Sequence, residues 1–273
     1  MHPNLADPYE AAAREIASAD ALLIGAGAGM GVDSGLPDFR GDDGFWKAYP
    51  PFRGKSFASV SNPTWFLSDP PQAWGFFGHR LHLYRNTVPH EGFHTLLRWG
   101  QSRPHGCFVF TSNVDGQFQK AGFAEDHVFE CHGSVHHLQC VKQCTNRIWS
   151  AAELNVDVNM ETMRATSELP RCAKCNMLAR PNVLMFGDWD WIADRSEEQQ
   201  TRYHAWLKQV RGHKFVAIEF GAGLAIPTVR SECEARSQTL IRVNPREADT
   251  QGRGIEFPVG ALEAIRGIDA CMK

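Results

Sequence analysis

Hydrophobic residues along this chain fall into two rhythms. An alanine-rich stretch, Tyr9 to Ser18, carries its apolar positions at helical spacing and predicts an amphipathic helix. It is followed by a continuous apolar run, Ala21 to Ile24, and then by a string of small residues from Gly25 to Gly35, the pattern of a buried strand entering a tight strand-to-helix turn. Short apolar runs recur at Cys107 to Phe110, Val183 to Phe186, Phe215 to Phe220 and Leu240 to Val243. Unbroken runs of this length predict parallel strands covered on both faces. Each ends in a polar or glycine-containing loop, where open α/β sheets place their ligands. Between Pro50 and Pro89 the rhythm changes: Trp65, Phe66, Trp74, Phe77, Leu81 and Tyr84 fall near one face of two helices broken at Pro70 and Pro71. That segment predicts an inserted helical module.

Composition narrows the picture. With 273 residues the chain can bury a full core, as one large domain or as a large and a small one. The 28 basic residues against 31 acidic ones, a net charge of -3, argue against a nucleic-acid-binding surface over most of the protein. Met1 to Asp20 lacks a basic start followed by an apolar core, and no apolar run reaches membrane-spanning length, so the expectation is a cytoplasmic protein without membrane partners. The oligomeric state is not readable from the sequence.

Four of the eight cysteines form two close pairs, Cys140 with Cys144 and Cys172 with Cys175, separated by a polar insert. Two knuckles presenting four thiolates match the needs of one tetrahedral zinc ion, and an all-cysteine site is usually closed and structural. The segment Val135 to Leu178 therefore reads as a second insert, organised by metal. Cys107, Cys131, Cys233 and Cys271 show no ligand spacing and read as small packing thiols or, at the end of the chain, an accessible one.

If zinc is structural, the chemistry lies elsewhere, and the glycines point to it. Gly25, Gly27, Gly29 and Gly31 alternate with small residues, which lets backbone approach a diphosphate and aim amides at its charge. No placement of them satisfies G-x-G-x-x-G, so a standard hydride-transfer dinucleotide fold is disfavoured. The continuation Ser34-Gly35-Leu36-Pro37-Asp38-Phe39-Arg40-Gly41 adds an aromatic ring and a cation that a plain turn has no need to carry.

Here the chain resembles the sirtuin family of NAD-dependent protein deacylases. The resemblance runs in order through Gly27-Ala28-Gly29, Gly35 to Arg40, Thr111-Ser112-Asn113-Val114-Asp115, His132-Gly133-Ser134, the four cysteines, Arg180-Pro181, Phe186-Gly187, Gly221-Ala222-Gly223-Leu224 and Asn244. It implies an α/β fold: a Rossmann-like parallel sheet with helices on both faces, plus a smaller domain made of the helical and the zinc-binding inserts. The implied division is 1–45, 90–134 and 180–273 for the NAD-binding domain, 46–89 for the helical module and 135–179 for the zinc module.

By the same resemblance Gly27, Ala28 and Gly29 would line the NAD phosphates, with Asp38, Phe39 and Arg40 on a cofactor loop. Asn113 and Asp115 would face the nicotinamide end, with Ser112 among the ribose and diphosphate contacts, Gly221 and Gly223 at the diphosphate and inner ribose, Asn244 at the adenosine ribose, and Gly260 and Ala261 at the adenine. The residues themselves do not choose among His132, His136 and His137 as a catalytic imidazole. The family pattern, with glycine directly after it, selects His132, with Asn113 beside it as a catalytic residue. In the implied reaction an acyl-lysine carbonyl oxygen attacks the nicotinamide ribose and His132 acts as general base on a ribose hydroxyl, giving nicotinamide, free lysine and O-acyl-ADP-ribose. The partner would be an acylated protein lysine.

Several positions depart from the family pattern. Gly31, Ser112 and Gly223 replace more polar residues around the ribose and diphosphate, which keeps open two other readings: ADP-ribosyl transfer or NAD hydrolysis on the same fold, and a non-catalytic sensor of NAD or ADP-ribose. Phe77 and Arg80 occupy positions where members favouring acidic acyl chains carry tyrosine and arginine, so Arg80 is a candidate acyl contact as well as a candidate solvated helix residue. Val183, Phe186 and Gly187, in a segment with Met185 and Asp188 in place of the usual tryptophan and glutamate, would pair with substrate backbone as an added strand.

Overall fold

A computed structural model describes residues 7–38 and 41–272. In chain order its strands are β1 (Ala21–Ala26), β2 (Cys107–Thr111), β3 (Val128–Glu130), β4 (Gly133–Cys140), β5 (Trp149–Ser150), β6 (Val158–Asn159), β7 (Arg164–Ala165), β8 (Ala179–Val183), β9 (Phe215–Phe220), β10 (Thr239–Val243) and β11 (Gly254–Phe257). Six of them form one parallel sheet in the order β11-β10-β9-β1-β2-β3. The apolar runs form strands here because both faces are covered. Leu22 and Ile24 pack with Val109 and Ile218 beneath Ile16, Phe93, Leu96 and Ile265, which belong to the helices Pro8–Ala17, Glu91–Gln101 and Ala261–Ala270. Leu23 and Ala217 face the other way with Phe108, beneath Tyr203 and Trp206 of the helix Asp194–Gln209 and Val229 of the helix Thr228–Arg236. Alternate residues reach opposite layers, as the two-residue period of a strand requires.

The strand order reverses beside β1. From β1 the chain runs outward through β2 and β3, then returns to place β9 on the other side of β1 and continues to β10 and β11. Register puts Ala26 level with Thr111 on one side and with Phe220 on the other, so loops opening at Gly27, Ser112 and Gly221 leave the sheet side by side. This is the topological switch point at which open α/β sheets hold ligands.

The two inserts share one core. Phe45, Phe66, Trp74, Phe76 and Phe77 pack with Val135, Leu138, Val156 and Met163. The Trp74 indole donates to the Ala179 carbonyl at 3.0 Å, and Arg164 grips Asp69 with two bonds of 2.8 Å. Pro70 and Pro71 open the long helix Pro70–Asn86 behind the Asp69 cap; in the first turn a missing amide hydrogen costs no intrahelical bond. β4 pairs antiparallel with β8 and β5.

One expected strand is corrected. Val183 to Phe186 is not a member of the parallel sheet: Val183 ends β8, which pairs with β4, and the residues after it leave regular structure. The run is apolar because all four residues line the cleft, with Val183 and Met185 also buried in the insert core. The sheet positions not anticipated are β3 and β11, edge strands of three and four residues that are too short for a periodic signal. Among the described residues no helix is long and apolar enough to cross a membrane.

Candidate active site

Close backbone contact shapes the floor of the cleft. A Cβ on Gly27 would lie 2.7 Å from the Gly221 carbonyl oxygen, and one on Gly221, whose φ is +58°, would lie 2.3 Å from the Gly29 Cα. The first and fourth loops of the sheet therefore touch through backbone alone, and Gly29 N–H donates to the Gly221 carbonyl at 3.2 Å. No larger residue fits at either point, so the floor presents main chain to whatever lies on it.

The neighbouring loop is fastened by side chains. The Thr111 hydroxyl donates to the Ala26 carbonyl at 2.8 Å and accepts from Asn113 N–H at 3.0 Å, and Asn113 Nδ2 donates to the Gly27 carbonyl at 3.0 Å. Asn113 is thereby locked across the mouth of β1. His132 sits between β3 and β4, held through its carbonyl, which accepts from Leu184 N–H at 3.0 Å. Burial lowers the pKa of its imidazole below the usual 6.5, partly offset by a hydrogen bond with the Ser112 backbone. The ring is therefore neutral at pH 7, the form able to accept a proton. Asp115 is buried and accepts from Gln117 N–H at 3.0 Å. Burial pushes its pKa up to about 6, with that hydrogen bond opposing and Glu130 adding to the rise.

These groups surround a cavity of about 460 Å³. Of the residues singled out in the sequence, Gly27, Ala28, Ser112, Asn113, Asp115, His132, Gly221 and Gly223 line it, joined by Arg80, Val183 and Phe186. Of the three histidines only His132 does; the His136 Nε2 lies 2.9 Å from the Asp115 carbonyl on the far side of the loop. The remaining candidates lie off the wall. Gly29 stands behind Gly221, Asp38 pairs with Arg246 at 2.5 Å, and Gly187 holds a turn with φ +67°. Asn244 is buried, its Nδ2 donating to the Ala222 carbonyl at 2.9 Å and its Oδ1 accepting from Arg246 and Glu247 N–H. Gly260 and Ala261 open the last helix beside Asp33, whose carboxylate accepts from Leu262 N–H at 2.8 Å. Phe39 and Arg40 lie outside the described residues.

Arg80 is a buried residue, 5% exposed, and not a solvated one. Its Nε donates to the Tyr84 hydroxyl at 2.9 Å and its guanidinium lies 5.3–5.5 Å from the ring centres of Phe76, Phe77 and Tyr84. The aromatic residues three and four positions away on the same helix were the available signal. Sequence reasoning missed Tyr84 and Glu247, which also line the cavity; Glu247 accepts from Leu224 N–H at 3.1 Å. It also missed the ion pair of Asp188 with Arg180, 2.8 Å long with both side chains fully enclosed, which with the Met185 N–H bond to Asp188 shapes the 184–188 segment.

The four cysteines come together as expected. All four Sγ atoms lie within 4.8 Å of one another, with Cys140 and Cys175, and Cys144 and Cys172, each 3.5 Å apart. A zinc ion with four sulfurs at about 2.3 Å gives sulfur–sulfur edges of about 3.8 Å, so the donor set and its spacing fit one structural ion. At 3.5 Å neither pair is a disulfide.

Comparison with known proteins agrees with this architecture. The model of the Sir2 family matches residues 27–209, about two thirds of the chain. The chain belongs to the Sir2 family, the sirtuins. It is 32% identical over 178 residues to NAD-dependent protein deacylase 1 of Archaeoglobus fulgidus, covering 64% of this chain and 63% of that one. It is 28% identical over 224 residues to the NAD-dependent protein deacylase of Aquifex aeolicus, covering 81% and 82%. Against the NAD-dependent protein deacetylase of Saccharolobus solfataricus it is 32% identical over 182 residues, 66% of each. Among solved structures, a Sir2 homologue in complex with NAD superposes with a TM-score of 0.70 at 22% identity, covering 100% of this chain and 98% of that one. A Sir2 homologue mutant with ADP-ribose gives 0.67 at 22%, covering 95% and 96%. At that identity the likeness speaks for the fold.

Proposed function

We propose that this chain is an NAD-dependent protein-lysine deacylase. The observation that carries the reading is a neutral imidazole, His132, on the wall of the same cavity whose floor is the Gly27–Gly221 backbone and whose flank is Asn113. The floor fits a dinucleotide, since only chain without Cβ atoms lets a diphosphate approach so closely. Bound there, NAD supplies a sugar carbon from which nicotinamide can leave. Gly27, Ala28, Gly221 and Gly223 hold the phosphate region by main chain, and Asn113 and Asp115 face the nicotinamide. Glu247 is placed to accept from ribose hydroxyls, as acidic residues do in other dinucleotide sites. His132 takes the proton of the ribose hydroxyl whose oxygen attacks the acyl carbon; water then adds there as the lysine amine leaves, so one water is consumed for each O-acyl-ADP-ribose formed.

The acyl-lysine enters past Val183, Leu184 and Phe186, whose backbone offers a partner for an extended peptide. Arg80 gives the inner cavity a cation, which favours an acyl chain ending in a carboxylate. Mass-spectrometric product analysis with NAD and a panel of acetyl-, butyryl- and succinyl-lysine peptides tests both points. The expected result is nicotinamide release that depends on peptide, with O-acyl-ADP-ribose formed fastest from the succinyl peptide. Release that is indifferent to peptide would assign NAD hydrolysis instead.

A further inference from the structure

The segment that borders the substrate entrance runs on into a turn that is anchored from within and open to solvent at one side chain. Leu184 N–H donates to the His132 carbonyl and Phe186 N–H to the Ser61 carbonyl, both at 3.0 Å. The enclosed Asp188 carboxylate, paired with Arg180, accepts from Met185 N–H at 3.3 Å and from Asp190 N–H at 3.2 Å. Gln139, fully buried, donates to the Asp190 carbonyl at 2.7 Å and accepts from Ile192 N–H at 3.1 Å. Asn182, equally buried, donates to the Ile192 carbonyl at 2.8 Å. The backbone from 184 to 192 is therefore held in one shape by buried polar groups. On this fixed turn stands Trp189, 94% exposed, the most exposed large apolar side chain among the described residues.

An indole left in water forgoes the stabilisation its burial would bring, and tryptophan contributes more than most residues once a partner covers it. Position says which partner. Trp189 follows Phe186, which lines the cleft, by three residues, a reach of at most about 11 Å. An extended peptide rises about 3.3 Å per residue, so a side chain about two to four places from the acyl-lysine reaches the indole. Charge says what that side chain is. Asp190 is exposed beside Trp189 and Asp194 opens the following helix, and neither is ion-paired among the described residues. The cations nearest in sequence, Arg180 and Arg195, are bound to Asp188 and Glu130. An aromatic face next to an uncompensated carboxylate attracts a lysine or arginine side chain. We propose that Trp189 and Asp190 select a basic residue flanking the acylated lysine of the protein substrate. The inference rests on the deacylase reading and adds the sequence that this site prefers. Trp189 acts outside the cavity, on specificity, and takes no part in the bond changes.

The test reads binding rather than turnover. Acetyl-lysine and succinyl-lysine peptides carrying arginine, alanine or glutamate two to four places from the acyl-lysine, on each flank in turn, are titrated by calorimetry into the zinc-loaded chain without NAD. Arginine on one flank should lower Kd by about two- to fivefold relative to alanine, and glutamate there should raise it. Trp189→Ala should abolish the preference, and Trp189→Phe, which keeps a ring face, should retain part of it. Asp190→Asn should reduce the preference and flatten its dependence on salt. Flank-indifferent binding in the wild type overturns the proposal and leaves the deacylase reading standing. An effect of Trp189→Ala that is equal for arginine and glutamate peptides makes the indole a plain apolar contact and also overturns it. So does sedimentation showing a dimer that Trp189→Ala dissociates, since a second copy then covers the indole. Failure of every peptide to bind removes the deacylase reading and this proposal together.

Discussion

The two sides of the cleft are made of different material. Toward β2 and β3 the wall is side chain: Asn113, Asp115, His132 and Arg80 all reach the cavity. Toward β9 and β10 it is the loop Gly221 to Ile226, small and aliphatic residues with the Glu247 carboxylate beside them, and the polar residues that the sequence suggested there are engaged elsewhere. Asn244 braces the Ala222 carbonyl, and Asp33 caps the helix that Gly260 and Ala261 open. The difference matches what each side must do. Chemistry needs groups with defined protonation and aim, whereas holding a diphosphate needs only close, oriented amides.

The sharpest way to break this contrast is at His132. His132→Ala removes the base and should lower deacylation by about 10²- to 10⁴-fold while leaving NAD binding and zinc content unchanged, checked by calorimetry and metal analysis. Because burial holds its pKa below 6.5, the wild-type rate should be flat through neutrality and fall only on the acid side. Retained turnover in a purified His132→Ala sample would move the chemistry to another group.

Asp115 tests whether the reactive side carries a stability cost. Its folded pKa, about 6, lies above the ordinary 3.8, so protonated Asp115 suits the fold and ionised Asp115 strains it. The stability this group contributes is present below pH 3.8 and lost as pH rises through 6. Asp115→Asn keeps an acceptor for Gln117 N–H and should be more stable than wild type at pH 7.5, by up to about 3 kcal/mol. The advantage should shrink as the pH falls toward 4, with activity reduced throughout. Thermal melts across that range check it; a variant less stable at pH 7.5 would show that the charge is well solvated.

How far the chain announces these two sides differs for a physical reason. The cysteine quartet and the strands from Ala21, Cys107, Phe215 and Leu240 are legible because ligand spacing and unbroken apolar runs are local properties, whereas His132, which lines the cavity, was set apart from His136 and His137 only by the family pattern. Val183 to Phe186 misled because burial in the insert core and along a cleft writes the same apolar run as burial in a sheet. Glu247 depends on which distant surface folds beside it, while Arg80 had a local signal in Phe76, Phe77 and Tyr84 of its own helix. The sequence also marks Asn244 as polar without showing that the next loop has already engaged it.

Asn244→Ala bears on that last point. It leaves the Ala222 carbonyl and two loop amides without their side-chain partner, so a loss of about 1–3 kcal/mol is expected in denaturant unfolding. A variant with unchanged stability and a KM for NAD raised tenfold would instead make Asn244 a direct ribose contact, and the main-chain side would no longer be passive.

The smallest effect is expected where a side chain is added. Gly223 lines the cavity, and the nearest atom to a Cβ built there is Glu247 Oε2, 3.8 Å away. Serine therefore fits at 223 without displacing anything. At Gly31, by contrast, a Cβ would lie 2.9 Å from Leu36 and the neighbour would have to move. Gly223→Ser supplies a hydroxyl beside Glu247 to a loop otherwise made of small and aliphatic residues, and one net hydrogen bond of about 0.5–1.5 kcal/mol lowers the KM for NAD by about two- to tenfold. If the serine instead leaves KM unchanged, the amides of this loop already saturate the phosphate oxygens. Main chain alone is then sufficient to hold the cofactor on this side.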